Sequence, residues 1–213
     1  FYLCRVYTGA AMLSSIFSCQ AARWDKICIL IPALGKMDVY APRGQTYSKR
    51  KDKFMDTMNS AIYIENDRLF DYAAAAARLL TPGGERTGRG DAHRMQKRYR
   101  EIKRCHAEIA RRFGSMPSPP AACEWLLDNW YMIEREYRAS APQIVAARRL
   151  RRCTEGTLPG ALARTLLLSG RGEVTAERFG IFLKGFQSVT VLRRAELCLL
   201  PAYLSAAVIE SVA

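Results

Sequence analysis

The chain is poor in residues that bind metal ions or exchange protons at neutral pH. It has only two histidines in 213 residues, and its seven cysteines include no pair at CxxC spacing. Acidic residues are also scarce, 20 against 33 lysines and arginines, which gives a formal net charge of +13. We therefore expect no metal site and no cofactor, because zinc sites need clustered ligands. The charge favours anionic partners.

The sequence also lacks a long uninterrupted apolar run. The uncharged stretch 6–22 is diluted by Thr, Ser and Gln and is short of the roughly 20 apolar residues that a spanning helix needs. We interpret it as a buried or interfacial helix, with a membrane anchor as the alternative. The polar stretch 36–53 ends in the basic run 48–53 and is predicted to be a linker. Residues 1–53 thus form an apolar segment with a basic linker, and 54–213 a separate module.

Disulfide chemistry is not indicated. The cysteines are odd in number and scattered along the chain, which suits a reducing compartment where each acts as a small buried apolar residue. No cleavable signal peptide is recognisable. The chain begins at Phe1 rather than Met, and we expect it to be a fragment of a longer protein.

From about residue 54 the pattern is helical, and no alternating strand pattern stands out. The clearest helix is 92–113, which has apolar residues on one face and lysines and arginines on the other. Further helices are predicted at 65–80, from 122 to about 138, and at 142–153, 158–168, 176–186 and 192–212. This pattern predicts an all-α domain of antiparallel helix pairs in a bundle or array.

Local signals at the helix ends add detail to this prediction. Ser118 is placed to cap the helix that follows the proline-rich break, and Thr175 the helix 176–186. Pro201 should kink the last helix. His106 falls in the apolar seam of 92–113, where a lone histidine is more often a core residue than a ligand or base.

The stretch ACEWLLDNW (122–130) combines aromatic rings with carboxylates, as sugar-binding sites do. Its candidate glycan contacts are Trp125, Trp130, Glu124, Asp128 and Asn129. Glu124 and Asp128 lie four residues apart on one helix face, whereas the two carboxylates of a glycosidase flank the scissile bond. We therefore expect no catalytic pair. The tryptophans are predicted to pack between helices first, and to stack on sugar only if a ring face stays free.

Two basic regions are candidates for contact with anions. One is the cationic face of 92–113, and the other is RRLRR, whose candidate contacts are Arg148, Arg149, Arg151 and Arg152. No recognisable nucleic-acid module accompanies them. Nucleic acid is therefore not the expected partner, although it remains the runner-up alongside an anionic membrane surface.

Four blocks of the sequence resemble the cyclic β-1,2-glucan synthase family, in the same order. PPAACEWLLDNWYMIEREYR (119–138) is similar to the family's PAAEWLLDNFHLIEEQIRE element, and TPGGERTGRGDAHRMQKRYREI resembles the segment before it. The third block is 156–189. The fourth, LRRAELCLLPAYLSAAVIESV (192–212), resembles LTIGELWALPIMLRLALIENL. The resemblance covers roughly residues 60–213.

The resemblance implies a role within a very large, membrane-associated bacterial enzyme. Such enzymes join a helical N-terminal region to a glycosyltransferase module that uses UDP-glucose and to a region similar to glycoside phosphorylases. This chain would be the N-terminal region, at the cytoplasmic face of the membrane or in the cytoplasm, with the downstream catalytic modules as its partners. It contains no DxD motif and no QxxRW-like signature, so the resemblance assigns no catalytic residue here.

The chain matches the family blocks at several polar residues and departs from them at others, as expected of a divergent relative. The polar residues that match the family blocks are Glu124, Asp128, Asn129, Glu134, Gln187, Glu196 and Glu210. The departures include Gly160 and Ala161 in place of an arginine and an aromatic residue, and SGRG at 169–172 in place of HTDG. Cys198 replaces a tryptophan. Arg193 stands where a Thr or Ser is expected, so a cap for the last helix is predicted from Ser188 or Thr190.

The sequence thus predicts a non-catalytic helical module of a cyclic β-1,2-glucan synthase-like glycosyltransferase, acting as a scaffold or as a region that contacts β-glucan. The alternative is a free-standing basic helical module that binds nucleic acid or an anionic membrane surface. The two differ in the salt dependence of binding, which is steep for a polyanion and slight for a neutral glucan.

Overall fold

The computed structural model describes residues 63–80, 82–153 and 155–212. The apolar stretch 6–22, the linker 36–53 and the predicted domain 1–53 lie outside the described residues, so those predictions stay predictions. Within these three ranges, no helix is both long and apolar enough to cross a lipid bilayer.

The described residues form an all-α domain, as predicted, with one small sheet that was not. The elements in chain order are α1 (Asn66–Leu79), β1 (Gly83–Arg86), α2 (Arg89–Phe113), α3 (Ala121–Ala146), β2 (Leu150–Cys153), β3 (Gly156–Thr157), α4 (Leu158–Ser169), α5 (Ala176–Val189) and α6 (Arg194–Val212).

Helix α2 follows the periodicity of its sequence. It begins three residues before the predicted start, and its buried face carries Met95, Tyr99, Ile102 and Ile109. Helix α3 runs antiparallel to it, because Tyr137 stacks on Tyr99 whereas Trp130, one to two turns earlier in α3, reaches His106. This antiparallel pair is the arrangement that the sequence predicted.

Helix α6 occupies the centre of the domain and packs against α2, α3 and α4. From Ala202 to Ile209 every residue is buried, Ser205 included, so the helix is covered on all sides rather than along one stripe. Pro201 lies inside it. Because α6 touches three other helices, its few polar side chains have to find partners within the protein.

Helix α3 corrects two predictions. It is continuous from Ala121 to Ala146 and contains Pro142, where the sequence predicted two helices. A proline removes one backbone hydrogen bond, and α3 continues through this loss. Ser118 does not cap it. The capping position is Pro120, whose carbonyl accepts the amide of Cys123 at 2.8 Å.

A three-stranded antiparallel sheet joins β1, which follows α1, to the sequence-adjacent strands β2 and β3, in the order β1–β2–β3. The expectation of no strands was wrong here, because strands of two to four residues are too short to show alternation. Two glycines adopt positive φ angles in the sheet. Gly84 (φ +57°) lies at the irregular register between Gly83 and Glu85, and Gly156 (φ +126°) is the first residue of β3.

Helices α1 and α5 pack mainly on each other and run in the same direction. Arg178 near the start of α5 donates to Asn66 Oδ1 at 2.9 Å, and Thr190 just after α5 donates to the carbonyl of Ala77. This parallel pair differs from the antiparallel pairs predicted. It is possible because α5 follows α1 by about a hundred residues, so no short loop constrains the direction.

Arg178 holds the start of α1 against the rest of the domain. Its side chain is 2 % exposed. Nη1 makes the bond to Asn66, and Nη2 donates to the carbonyl of Ser169 at 3.0 Å. The guanidinium also lies 4.4 Å from the centre of the Tyr63 ring. The predicted cap at Thr175 is confirmed, since its hydroxyl accepts the amide of Arg178.

A pair of glycines on α5 gives a matched test of the α1–α5 packing. A Cβ on Gly185 would lie 2.3 Å from the carbonyl oxygen of Phe70 in α1, whereas a Cβ on Gly180 would meet nothing within 4 Å. We expect Gly185→Ala to lower the free energy of unfolding by at least about 1–3 kcal/mol. Gly180→Ala should raise it by about 0.5–1 kcal/mol. Urea titrations of both variants measure this, and equal effects would contradict the close contact.

Candidate functional site

Asp91 is the hub of a buried polar network between α2, the sheet and α6. Its carboxylate is 2 % exposed. Oδ2 accepts the hydroxyl of Thr157 at 2.5 Å and that of Tyr203 at 3.2 Å, and Oδ1 accepts Arg94 Nη2 at 2.5 Å. The Thr157 hydroxyl also accepts the amide of Gly160, which caps α4. One carboxylate therefore links three helices.

This network has the residue types of a catalytic site but the exposure of a core. A hydroxyl held by a carboxylate is the arrangement that activates a nucleophile. Thr157, however, is 0 % exposed and Tyr203 2 %, so no substrate reaches the hydroxyls in this conformation. Burial raises the pKa of Tyr203 far above its ordinary value, and the Asp91 charge adds to that effect. Tyr203 therefore stays protonated and acts as a donor.

Glu210 extends the network along α6. Its Oε1 lies 3.7 Å from Arg94 Nε, and its Oε2 lies 4.0 Å from Arg164 Nη1. These separations are long for an ion pair, and burial raises the pKa of Glu210 despite both arginines. The protein therefore holds a proton on Glu210 more tightly than the unfolded chain does.

A pH-dependent stability follows from Glu210. Because its pKa is raised in the folded protein, stability falls as the pH rises from the ordinary glutamate pKa through the higher folded value. We expect Glu210→Gln to be more stable than the wild type at pH 7, with the difference closing in acid. Urea titrations across this range measure it, with Glu124→Gln on an exposed face as the control. A Glu210→Gln protein that is less stable at pH 7 would show that the arginine contacts outweigh burial.

Glu196 ties the start of α6 to strand β2. It is 0 % exposed. Its Oε2 accepts Arg151 Nη2 at 2.5 Å and the backbone amide of Arg193 at 2.9 Å, and its Oε1 accepts the amide of Arg151 at 3.1 Å. Burial pushes the pKa of Glu196 upward, but the hydrogen bonds from Arg151 and Arg193 outweigh it, so the pKa lies below its ordinary value.

The contact between Glu196 and Arg193 also settles how α6 begins. A glutamate at the third helical position accepts the amide of the capping residue, which is half of a capping box. The predicted caps were wrong, because the Ser188 hydroxyl donates to Gly185 and that of Thr190 to Ala77. Glu196 thus supplies the half of the capping box that does not depend on a Thr or Ser at position 193.

Trp130 of the 122–130 stretch belongs to the packing between α2 and α3. Four rings form a ladder in the order His106, Trp130, Tyr99 and Tyr137. The centroid distances between successive rings are 4.6, 5.7 and 3.9 Å, and no interplanar angle exceeds 20°. His106 thus lies in the seam, as predicted, and burial lowers its pKa.

Trp130 has no free face for a sugar. Tyr99 and His106 lie seven residues apart on α2, a rise of about 10.5 Å. The centroid distances from the Trp130 ring to the Tyr99 and His106 rings are 5.7 and 4.6 Å. Their sum is close to that rise. Trp130 is therefore inserted between them. Trp125 is partly buried and packs against the core.

The insertion of Trp130 has a measurable consequence for stability. We expect Trp130→Ala to lower the free energy of unfolding by about 3 kcal/mol, because it removes a partly buried ring and two stacking contacts. Tyr131→Ala is the matched control, since that ring is the next residue of α3 and is 57 % exposed. Thermal and urea unfolding compare the two. Equal, small losses in both would mean that the ladder contributes little.

The polar members of the stretch do not converge on one site. Glu124 and Asp128 are exposed, and the Asn129 side chain donates to the carbonyl of Trp125 at 2.9 Å in its own helix. Among the matching polar residues elsewhere, Glu134 accepts Arg138 at 2.9 Å and the Tyr99 hydroxyl at 3.5 Å. The stretch thus contributes to packing through its rings, and its two carboxylates are exposed to solvent.

The four candidate arginines separate into two groups. Arg151 is bound to Glu196 and is 16 % exposed, so it is committed to the fold. Arg148, Arg149 and Arg152 are exposed. Arg148 donates to the carbonyl of Val145 at 2.7 Å, and Arg149 has a left-handed backbone at φ +55°. Arg151 shares a strand face with the buried Cys153, whereas Arg152 lies on the opposite face and is exposed, although Leu150 on that face is buried.

Metal sites and reactive thiols find little support in residues 63–80, 82–153 and 155–212. No group of three or more His, Cys, Asp or Glu side chains is placed there to hold a metal ion. Cys105, Cys123, Cys153 and Cys198 carry free thiols, and burial raises the pKa of Cys123 and Cys153. The buried pair fits the prediction of core thiols, whereas Cys105 and Cys198 are exposed.

Sequence reasoning missed the Asp91 network, although one local signal was present. Thr157 precedes Leu158 and Pro159, a pattern typical of a helix start. The hydrogen bonds from Thr157 and Tyr203 to Asp91 span 66 and 112 residues of sequence, and no local pattern relates these positions. Comparison with known proteins adds nothing to these assignments, since no family, no curated protein and no solved structure matches the chain.

Proposed function

We propose that the chain is the non-catalytic N-terminal helical module of a cyclic β-1,2-glucan synthase-like glycosyltransferase, and that it serves as a scaffold for the catalytic modules of the same polypeptide. In this proposal the parent enzyme makes β-1,2-glucan from UDP-glucose, and the module lies in the bacterial cytoplasm or at the cytoplasmic face of the membrane. The chain itself binds no cofactor and performs no step of the reaction.

The scaffold role is supported by one observation: polar residues in the family-like blocks bind other elements of the same domain. Glu196 is fully buried and holds β2 against α6. Glu210 and Glu134 also contact other helices, through Arg94 and Tyr99. Residues that serve to join elements support a resemblance of fold, and a rigid folded module is what a scaffold requires.

A direct contact with glucan is the weaker half of the prediction. Pyranose rings stack on aromatic faces, and both faces of Trp130 are occupied by Tyr99 and His106. Titration of the protein with linear β-1,2-glucan in a calorimeter tests this. We expect no heat of binding. Saturable binding that is lost in a Glu124→Ala/Asp128→Ala variant would replace the scaffold role with a glycan-contacting one.

The family assignment is tested by the mass of the native product. An antibody against residues 119–138, applied to an extract of the source cells, should detect a protein far larger than 24.0 kDa. Peptide mapping of that band should then show glycosyltransferase sequence after residue 213. A native product that ends near residue 213 would contradict the proposal and bring the basic binding module forward.

A further inference from the structure

Three exposed apolar residues lie at the neighbouring ends of α1 and α5. Leu79 is 80 % exposed, Val191 69 % and Val189 40 %, and the first two are the most exposed large apolar residues of the described ranges. They are neighbours because the two helices run parallel, and Thr190 reaches the carbonyl of Ala77. Clustered exposed apolar residues mark surfaces that contact something other than water.

Arginines of β2, of the turn before it and of the loop before α6 lie near Val191. Arg151 Nη2 donates to the carbonyl of Val191 at 2.8 Å, and Arg193 Nη1 donates to the carbonyl of Arg149 at 3.1 Å. These bonds bring the β2 strand and its preceding turn beside the loop before α6. We call this surface the sheet end, and its exposed members are Leu79, Val189, Val191, Arg148, Arg149, Arg152, Arg193 and Arg194.

The sheet end is almost free of negative charge. The sequences 83–86, 147–153 and 187–195 contain a single acidic residue, Glu85. Its carboxylate is neutralised by Arg193 at 2.6 Å. Arg149, Arg152 and Arg194 have no acidic partner among the residues that the structure describes, so their charge is available to an anionic surface.

We propose that the sheet end docks on an anionic lipid bilayer. The arginines would contact lipid phosphates, each contributing about 1 kcal/mol. Leu79, Val189 and Val191 would enter the boundary between headgroups and acyl chains, as apolar residues of peripheral proteins do. The attachment is peripheral, because α1 and α5 are packed on each other and only their ends reach the lipid.

A bilayer fits this surface better than nucleic acid does. A phosphate backbone is bound by cations and hydrogen-bond donors, and it offers no apolar surface for Leu79, Val189 and Val191 to contact. The exposed face of α2 shows the contrast. It carries Lys97, Arg100 and Arg104 on successive turns with no large apolar residue among them, which is typical of a solvated face. The inference does not depend on the glucan synthase assignment.

The test uses flotation of the whole chain with vesicles of phosphatidylcholine, with and without phosphatidylglycerol. We expect binding to the anionic vesicles alone. The variant Arg149→Asn/Arg152→Gln/Arg194→Gln should weaken it about a hundredfold, at about fivefold per arginine. Asparagine is chosen at 149 because it tolerates a positive φ. Leu79→Ser/Val191→Ser should weaken binding about tenfold.

The matched control is Lys97→Gln/Arg100→Gln/Arg104→Gln, which removes the same charge from α2. It should retain most of the binding, and unfolding curves confirm that every variant is folded. If this control loses as much affinity as the arginine variant, net charge alone is responsible and the docking surface is wrong. Absence of vesicle binding, or tight binding to duplex DNA that the Leu79→Ser/Val191→Ser variant leaves unchanged, would also overturn the proposal.

Discussion

Glu196→Ala is expected to lower the free energy of unfolding by about 3–5 kcal/mol, because it leaves a largely buried guanidinium without its counter-charge. The carboxylate is 0 % exposed and Arg151 16 %. Two backbone amides, those of Arg151 and Arg193, lose their acceptor in the same substitution. Chemical denaturation measures the loss.

An exposed ion pair nearby provides the control for Glu196. Glu85 and Arg193 are 46 % and 49 % exposed, so Glu85→Ala should change stability little. Glu196 also predicts a pH effect. Because its pKa is lowered in the folded protein, its contribution is present above the ordinary glutamate pKa and is lost as the pH falls through the folded value. A Glu196→Ala protein as stable as the Glu85→Ala protein would contradict the role assigned to the network.

Asp91→Ala should lower the free energy of unfolding by a similar amount, about 3–5 kcal/mol. It leaves two buried hydroxyls without an acceptor, at about 1–3 kcal/mol each, and removes the partner of Arg94. Thr157 and Tyr203 both donate to the same Oδ2, so their contributions are not independent. Urea unfolding of the single variant tests the magnitude.

A double-mutant cycle tests whether Asp91 acts through these hydroxyls. Tyr203→Phe alone should cost about 1 kcal/mol. In the Asp91→Ala background it should instead restore about 1–3 kcal/mol, because it removes a buried hydroxyl that has lost its acceptor. Asp128→Ala, on an exposed position of α3, controls for the loss of an acidic side chain. Additive costs for Asp91 and Tyr203 would show that the hydrogen bond between them contributes little.

The sequence allows the helices to be predicted but not the polar contacts between them. Periodicity located α2 and placed His106 in the apolar seam, because helical spacing is a local property. The Asp91 network joins residues 66 and 112 positions apart, and Arg151 meets Glu196 across 45. Which arginine of RRLRR is buried depends on a strand too short to be recognised. The tryptophans were predicted to be packing residues, and the ring ladder shows that Trp130 packs by stacking with Tyr99 and His106.

The parallel pair of α1 and α5 has a consequence for the order of folding. Arg178 and Asn66 are 112 residues apart, so docking α1 requires closure of a long loop, which is entropically costly. The contacts of α2 with α3 and of α4 with α6 span shorter separations and form more readily. Helix α1 packs mainly on α5, whereas α6 packs on α2, α3 and α4, so α1 should join an already assembled core. In hydrogen-exchange experiments, amides 70–79 should open while α6 stays protected. The end of α1 that carries Leu79 thus belongs to the part of the domain that is expected to assemble last and open first.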